Sequence, residues 1–357
     1  MTIDMTKAGQ WRSEMFADFY KSMHAWEVDN FDAFRYQGIA PDTFFLTQHA
    51  QYLSNFADHW ELFFQARQLL ADEPSRSLFD RLILFRLLGH LHVRLPMSNP
   101  ETLAHIAVPD DWLVSETKDE GMLGPLSIFT VPVEGDLIWI KGWAGNISAY
   151  LAGQYYFERG GIRIQADADE HVIDAGGCFG DTAAFFAHRV GSSGRIYTFD
   201  PLRKHCAIMR EVFALNGPLG ERIKVFEAGL SDRDEVGVTD SGNDINPGAR
   251  VGHASGLTLR TIDSLVESGE VPRIDFVKMD IEGSELAALQ GGETAIRKWR
   301  PKLAISLYHR PEDFYAIPQW IDSLNLGYGF YLDHYGIHHE ETVLYAISKS
   351  SANPNNS

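Results

Sequence analysis

The sequence has very little cysteine. Cys178 and Cys206 are the two cysteines among its 357 residues. Two such residues supply neither the disulfide framework of a small secreted domain nor a CxxC pair for a metal ion. We therefore expect the chain to work in a reducing compartment, the cytoplasm.

Long apolar runs are also missing. The most apolar segment, residues 82–95, is interrupted by Arg86, His90, His92 and Arg94. A segment this short and this charged does not span a bilayer, and residues 1–14 lack the apolar core of a signal peptide. We expect no membrane partner.

Positive charge is scarce. The chain has 31 Lys and Arg against 49 Asp and Glu, for a formal net charge of -18. Such a field repels phosphate backbones, so we expect no nucleic-acid partner.

With 45% apolar and 22% charged residues, the composition excludes a disordered, collagen-like or coiled-coil chain. The length predicts more than one structural unit.

The first hundred residues show helical patterns rich in aromatic side chains. Trp11, Met15, Phe19, Met23 and Trp26 recur at steps of three and four residues, which is typical of one helix face. Such a face packs in a core, covers an active site, or joins copies of the chain in a homo-oligomer. The sequence leaves these alternatives open.

The domain limits follow from changes in pattern. Pro, Asn and Asp interrupt the helical pattern at residues 96–111, as in a linker. We predict a helical N-terminal region at 1–115, a second domain at 116–349, and a disordered tail at 350–357. Alternating residues around the turn at 134–136 predict a hairpin that leads into the second domain.

The C-terminal half alternates short apolar strands with helices. This order predicts an α/β fold with a doubly wound parallel sheet, covered on both faces. The last two strands follow each other without a helix, so a terminal antiparallel hairpin is expected. The predicted strands are 172–173, 196–199, 223–226, 274–279, 303–307, 328–332 and 342–347, and the predicted helices are 182–190, 204–215, 284–299 and 311–324.

A glycine-rich loop follows the first of these strands. Residues 174–182 (DAGGCFGDT) differ in spacing from the GxGxxG of dinucleotide sites. Glycine permits tight turns and close approach of a ligand, and Asp181 or Thr182 can cap the next helix. Asp174 would face a cationic ligand, for which a sulfonium with an amino-acid tail fits better than NAD. Replacing Gly180 by Val would then abolish cofactor binding while the fold is retained.

A second acidic residue ends the next strand. Asp200, in 198–201 (TFDP), stands where a carboxylate can accept both ribose hydroxyls. A strand-ending turn is the simpler explanation of Asp200-Pro201 alone. The order of strand, glycine loop, helix, strand and acid favours ribose binding.

Three runs resemble the FkbM family of S-adenosylmethionine-dependent methyltransferases: 172–177 (VIDAGG), 275–285 (DFVKMDIEGSE) and 341–346 (ETVLYA). The resemblance extends over about 155–347. It implies a class I methyltransferase (Rossmann-like) sheet with S-adenosylmethionine as cofactor, and hydroxyls of small molecules or glycans as acceptors. Many relatives have Asn in place of Cys178 and Glu in place of Asp200.

From the motifs and the resemblance together, we predict a set of residues that bind the cofactor. They are Asp174, Gly176, Gly177, Cys178, Gly180, Asp181, Thr182, Asp200, Leu230 and Asp280.

Four residues are candidates for removing the proton of the acceptor hydroxyl. Asp280 and Glu282 end a buried strand two residues apart, His309 ends the next strand, and His334 lies at the last bend. A histidine base is one route. A divalent ion such as Mg²⁺ on Asp280 and Glu282 is the other, although hard-ion sites usually gather more carboxylates. Glu285 is expected to complement the helix N-terminus.

The leading hypothesis is O-methylation of a glycan or small-molecule (natural-product) hydroxyl. The alternatives are N-methylation of a small-molecule amine and a methyltransferase-like scaffold without catalysis. The intact glycines and both acids argue against the scaffold.

Overall fold

The computed structural model describes residues 4–25, 30–32, 41–121, 124–236 and 257–348. Trp26 and the predicted tail at 350–357 lie outside these residues. No helix within the described ranges is long and apolar enough to cross a membrane.

The helices and strands are numbered in chain order. The helices are α1 (Met5–Met23), α2 (Pro41–Leu69), α3 (Glu73–Leu88), α4 (Pro100–His105), α5 (Ala144–Leu151), α6 (Asp181–Val190), α7 (Arg203–Leu215), α8 (Ile262–Glu267), α9 (Glu285–Gln290), α10 (Glu293–Trp299) and α11 (Asp313–Ser323). The strands are β1 (Leu113–Gly121), β2 (Gly124–Val133), β3 (Asp136–Gly142), β4 (Phe157–Arg159), β5 (Ile162–Ile164), β6 (His171–Ala175), β7 (Arg195–Phe199), β8 (Ile223–Phe226), β9 (Gly229–Leu230), β10 (Leu259–Arg260), β11 (Phe276–Met279), β12 (Lys302–Ser306), β13 (Tyr328–His334) and β14 (Thr342–Ser348).

The chain divides into two compact units. The first comprises Met1–His105 and Leu307–Ala346, and the second comprises Ile106–Ser306 and Ile347–Ser357. This division differs from the predicted limits of 1–115 and 116–349, because residues 307–346 group with the N-terminal helices.

Aromatic side chains form the core of the first unit. Trp11 of α1, Phe63 of α2, Phe79 of α3 and Phe314 of α11 are all buried. The rings of Phe79 and Phe314 lie 5.5 Å apart between centroids. Of the helix face noted in the sequence, Trp11 and Met15 are buried, whereas Phe19 is half-buried and Met23 is 41% exposed.

β13 and most of β14 belong to this unit. β13 and β14 are hydrogen-bonded neighbours, and the Tyr335 amide donates to the Glu341 carbonyl at 2.9 Å in the bend between them. The two strands are thus adjacent in the sheet and are joined by a short bend.

The second unit contains the parallel sheet that the sequence predicts. Five of its strands lie in the order β12-β11-β6-β7-β8, and each neighbouring pair is parallel. The chain leaves β6 in one direction through β7 and β8, and returns on the other side as β11 and β12. The direction reverses between β6 and β11, where ligands bind in open α/β sheets.

The structure differs from the sequence prediction at two places. The predicted helix at 284–299 is divided into α9 and α10 at Gly291-Gly292, where a Cβ on Gly291 would overlap the Ser231 carbonyl oxygen. The predicted hairpin is present as β2 and β3, and β1 extends it to a three-stranded antiparallel sheet.

Candidate functional site

A cleft opens at the carboxyl ends of β6, β7 and β11, and we call it the strand-end cleft. It lies wholly within the second unit and includes five predicted site residues. Its lining residues are Gly176, Phe199, Asp200, Pro201, Leu202, His205, Gly229, Leu230, Asp280, Ile281 and Glu282.

Gly176 lets the loop after β6 reach the end of β11. Its φ is 81°, which favours glycine. A Cβ at this position would overlap the carbonyl oxygen of Asp280. The two loops that meet at the switch point therefore touch through their backbones, and no side chain fits between them.

Asp174 does not face the cleft, which corrects the prediction that it meets a cationic ligand. Its side chain is fully buried. One carboxylate oxygen accepts a hydrogen bond from Thr198 Oγ1 at 2.8 Å, and the other lies 3.0 Å from Lys278 Nζ. Its cationic partner is thus a lysine of the chain itself.

Lys278 belongs to the run 275–285, and its role is not apparent from the sequence. Its Nζ donates to the carbonyl oxygens of Ala175 at 3.1 Å and Gly176 at 2.7 Å, in addition to pairing with Asp174. Burial alone would lower the pKa of Lys278, but Asp174 and Asp280 outweigh burial and raise it. The lysine stays charged and holds the glycine loop against β11.

Asp200 lines the cleft, but much of its carboxylate is already engaged. Oδ1 accepts from the Leu202 amide at 2.9 Å, and Oδ2 accepts from the Cys178 amide at 3.0 Å. His205 Nδ1 lies 2.9 Å from Oδ2. A carboxylate has about four acceptor positions. The capacity that remains suits one ribose hydroxyl rather than the two predicted.

His205 is a residue of the cleft that the sequence analysis missed. It is buried on the first turns of α7 and fixes the Asp200 carboxylate. Its signal in the sequence was weak, because it is one of fourteen histidines and follows no motif.

Cys178 contributes its backbone rather than its thiol. Its amide holds Asp200, and its φ of 46° places it in the left-handed region. Burial and the nearby carboxylate of Asp200 raise the pKa of the Cys178 thiol well above its usual value. The thiol therefore stays protonated.

Asp280 and Glu282 both line the cleft, as predicted from their spacing. Asp280 accepts a hydrogen bond from the Tyr155 hydroxyl at 2.9 Å. Glu285 is fully buried and accepts from the Ile281 amide at 2.8 Å, so it ties down the loop before α9. This matches the helix-terminal role expected for Glu285.

Gly177 and Gly180 face protein rather than the cleft. A Cβ on Gly177 would overlap Thr198 Oγ1 and lie 2.8 Å from Met209 Sδ, and one on Gly180 would lie 2.7 Å from the Phe213 ring. Met209 and Phe213 both belong to α7. Gly180→Val would therefore disturb the packing of α6 on α7, and we expect this variant to lose stability as well as cofactor affinity.

Asp181 and Thr182 do not cap α6. The N-cap is Gly180, with φ of 87° and no side-chain hydrogen bond. Instead, both residues line a separate cavity between α5 and α6. Burial raises the pKa of Asp181 to about 6, although the charge of Lys278 opposes the shift.

The two predicted histidines belong to the first unit. His309 follows β12 and is half-buried. His334 is buried, and its Nδ1 lies 2.9 Å from Thr342 Oγ1. Burial and the charge of Arg86 lower the pKa of His334 to about 3.

Comparison with known proteins agrees with the resemblance noted in the sequence. Residues 174–330 match the family model of the methyltransferase FkbM domain. The matched segment includes the glycine loop, Asp200 and the run through Glu285.

One curated relative matches over a short stretch. The hexuronic acid methyltransferase AglP of Haloferax volcanii is 46% identical over 50 residues, which are 13% of this chain and 21% of that protein. The chain thus spans about a fifth of the length of this relative.

A solved structure shares the fold more broadly. The crystal structure of methyltransferase FkbM from Methylobacillus flagellatus KT is 22% identical, with a TM-score of 0.54. The alignment covers 83% of this chain and 60% of that one, about three fifths of its length.

Proposed function

We propose that this chain, which carries an FkbM methyltransferase domain at residues 174–330, transfers a methyl group from S-adenosylmethionine to a hydroxyl. The observation that carries the proposal is the strand-end cleft. Backbone from Gly176 and carboxylates from Asp200 and Asp280 converge there, at the switch point of a parallel sheet.

The residues of the cleft suit this cofactor. Asp200 retains acceptor capacity for a ribose hydroxyl, and Leu230 offers an apolar surface for the adenine ring of the cofactor. Asp280 and Glu282 place negative charge at the end of β11, where a sulfonium and its ammonium tail would be stabilised. When bound, S-adenosylmethionine supplies a methyl group on a positively charged sulfur.

The reaction requires one bond to form and one to break. The acceptor oxygen forms a bond to the methyl carbon, the carbon–sulfur bond breaks, and sulfur keeps the electron pair. The hydroxyl proton leaves to a base. We propose His309 for this role, because it follows β12, the neighbour of β11, whereas His334 is buried and hydrogen-bonded to Thr342.

Two experiments distinguish proton removal by His309 from proton removal that depends on a metal ion. We expect His309→Ala to slow turnover on the order of a hundredfold, with unchanged affinity for S-adenosylhomocysteine and full activity of the unsubstituted chain in EDTA. His24→Ala, at an exposed histidine that ends α1, is the control. Turnover that stops in EDTA and returns with Mg²⁺ would instead assign the role to an ion on Asp280 and Glu282.

For the acceptor, we propose a glycan or a small natural product with a free hydroxyl. The name of the AglP relative supports a sugar acid as one such acceptor. N-methylation of an amine needs no base at neutral pH once the amine is unprotonated. We favour the hydroxyl, because hydroxyls are the acceptors that the family resemblance implies.

Calorimetry with S-adenosylhomocysteine and NAD tests the proposal. We expect S-adenosylhomocysteine to bind and NAD to fail. Asp200→Ala should weaken binding about tenfold or more, because a hydrogen bond to a charged group contributes about 1.5–3 kcal/mol. Asp200→Asn keeps the shape of the side chain and should also weaken binding.

The control is Asp18→Ala, at an exposed aspartate of α1. Equal affinity in the unsubstituted chain and both Asp200 variants, with the fold intact, would remove Asp200 from the cofactor site. Binding of neither ligand would favour a scaffold without catalysis.

A further inference from the structure

A second cavity lies beside the strand-end cleft, and we call it the aromatic cavity. Its volume is about 300 Å³, at the lower end for small-molecule sites. It lies wholly within the second unit, between α5, the segment at 153–156 and one face of α6. Its lining residues are Asn146, Ala149, Tyr150, Leu151, Gly153, Gln154, Tyr155, Tyr156, Ala166, Asp181, Thr182, Phe185, Phe186 and Arg189.

The lining combines flat rings with a few polar groups. Tyr150 is stacked on Phe185, with 3.6 Å between the ring centroids and an interplanar angle of 6°. Tyr156 offers a second, half-buried ring. Aromatic faces are good surfaces for the C–H faces of a sugar ring, and amides such as Asn146 can bind its hydroxyls.

One basic side chain takes part in the lining. The guanidinium of Arg189 lies 5.0 Å from the centroid of the Tyr156 ring and donates to the side chain of Gln165. These contacts hold the group in place before any ligand arrives. An ordered guanidinium binds a carboxylate through two parallel hydrogen bonds.

The aromatic cavity and the strand-end cleft are joined through one hydrogen bond. Tyr155 lines the cavity, and its hydroxyl donates to Asp280, which lines the cleft, at 2.9 Å. Tyr155 has a φ of 65°, so its backbone is held in the left-handed region. The cavity and the cleft therefore share a wall, in which Tyr155 and Asp280 are hydrogen-bonded to each other.

We propose that the aromatic cavity binds the acceptor, as a sugar ring that bears a carboxylate. The ring lies against the tyrosines, the carboxylate pairs with Arg189, and the reacting hydroxyl points to Tyr155 and Asp280. This inference rests on the proposed function. Arg189 is the one basic side chain among the lining residues of the cavity, so its guanidinium favours an anionic ligand over the neutral counterpart of that ligand.

The test compares two probes that differ only in the acidic group. Binding of 4-nitrophenyl β-D-glucuronide and 4-nitrophenyl β-D-glucoside is measured by saturation-transfer NMR and calorimetry, with and without S-adenosylhomocysteine. We expect the glucuronide to bind about tenfold more tightly. Arg189→Gln should abolish this preference, and Tyr150→Ala should weaken both probes.

The control is Arg210→Gln, which removes an arginine of α7 paired with Glu227 outside both cavities. It should leave probe binding unchanged. Equal affinity for the two probes, or binding of neither, would overturn the proposal. A loss of S-adenosylhomocysteine affinity in Arg189→Gln would also overturn it, since the cavity would then hold the tail of the cofactor.

The proposed function and the proposed acceptor site are tested independently of each other. Glucuronide binding is measured without any cofactor, so it reports on the aromatic cavity even if S-adenosylhomocysteine does not bind. If the glucuronide binds and S-adenosylhomocysteine does not, the proposed function is overturned and the cavity remains a sugar-binding site.

Discussion

Asp174→Ala is expected to lower the free energy of unfolding by about 3–5 kcal/mol, because it leaves the buried Lys278 without its counter-ion. Both side chains are at most 3% exposed and lie 3.0 Å apart. Lys278 also holds the carbonyls of Ala175 and Gly176. The variant should therefore lose cofactor affinity as well, through a displaced glycine loop.

Urea denaturation of a double-mutant cycle measures this effect. Lys278→Met alone should be similarly destabilising, since it leaves the carboxylate of Asp174 buried. Asp174→Ala combined with Lys278→Met should cost much less than the sum of the two single changes, because no unpaired charge remains.

A surface ion pair supplies the control for the cycle. Arg210 and Glu227 are 2.6 Å apart and about half exposed, so Arg210→Ala should cost at most about 1 kcal/mol. An effect of Asp174→Ala as small as this would mean that the buried pair does not organise the site.

Removing residues 1–111 is expected to yield a chain that aggregates or stays partly unfolded. In the structure, α11 and β13 share a core with the deleted helices. The Leu332 amide donates to Ser75 Oγ at 2.9 Å, and the Ala71 amide donates to the Phe330 carbonyl at 2.8 Å.

The deletion would expose apolar surface that is now covered. Phe314, Ile317, Phe330 and Leu332 are at most 1% exposed in the intact chain. Newly exposed patches of this kind promote association. Size-exclusion chromatography, circular dichroism and dye binding would detect it, with a chain that lacks only 350–357 as the control. A monomeric truncated chain with full secondary structure and unchanged S-adenosylhomocysteine affinity would contradict the expectation.

The arrangement of strands was predictable because it depends on local patterns. Apolar runs that alternate with helical stretches gave β6, β7, β8, β11 and β12 to within two residues at each end. From parallel strands it follows that Gly176, Asp200 and Asp280 meet at one edge of a sheet. No knowledge of side-chain contacts was needed for this step.

The direction of each side chain at that edge was not predictable. Asp174 looked like a ligand for a cation because its partner, Lys278, comes from a strand far along the chain. Asp200 looked free for two hydroxyls because a motif does not reveal that the amides of Cys178 and Leu202 already use its oxygens. His334 looked like a base for a similar reason, because the sequence does not show that tertiary packing buries its side chain.

The most direct measurement is a crystal structure of the chain with S-adenosylhomocysteine. We predict that the ligand lies in the strand-end cleft, with one ribose hydroxyl bonded to Asp200, the base beside Leu230, and the sulfur near Gly176 and Asp280. Density for the ligand at another place, or a ribose without contact to Asp200, would contradict the account.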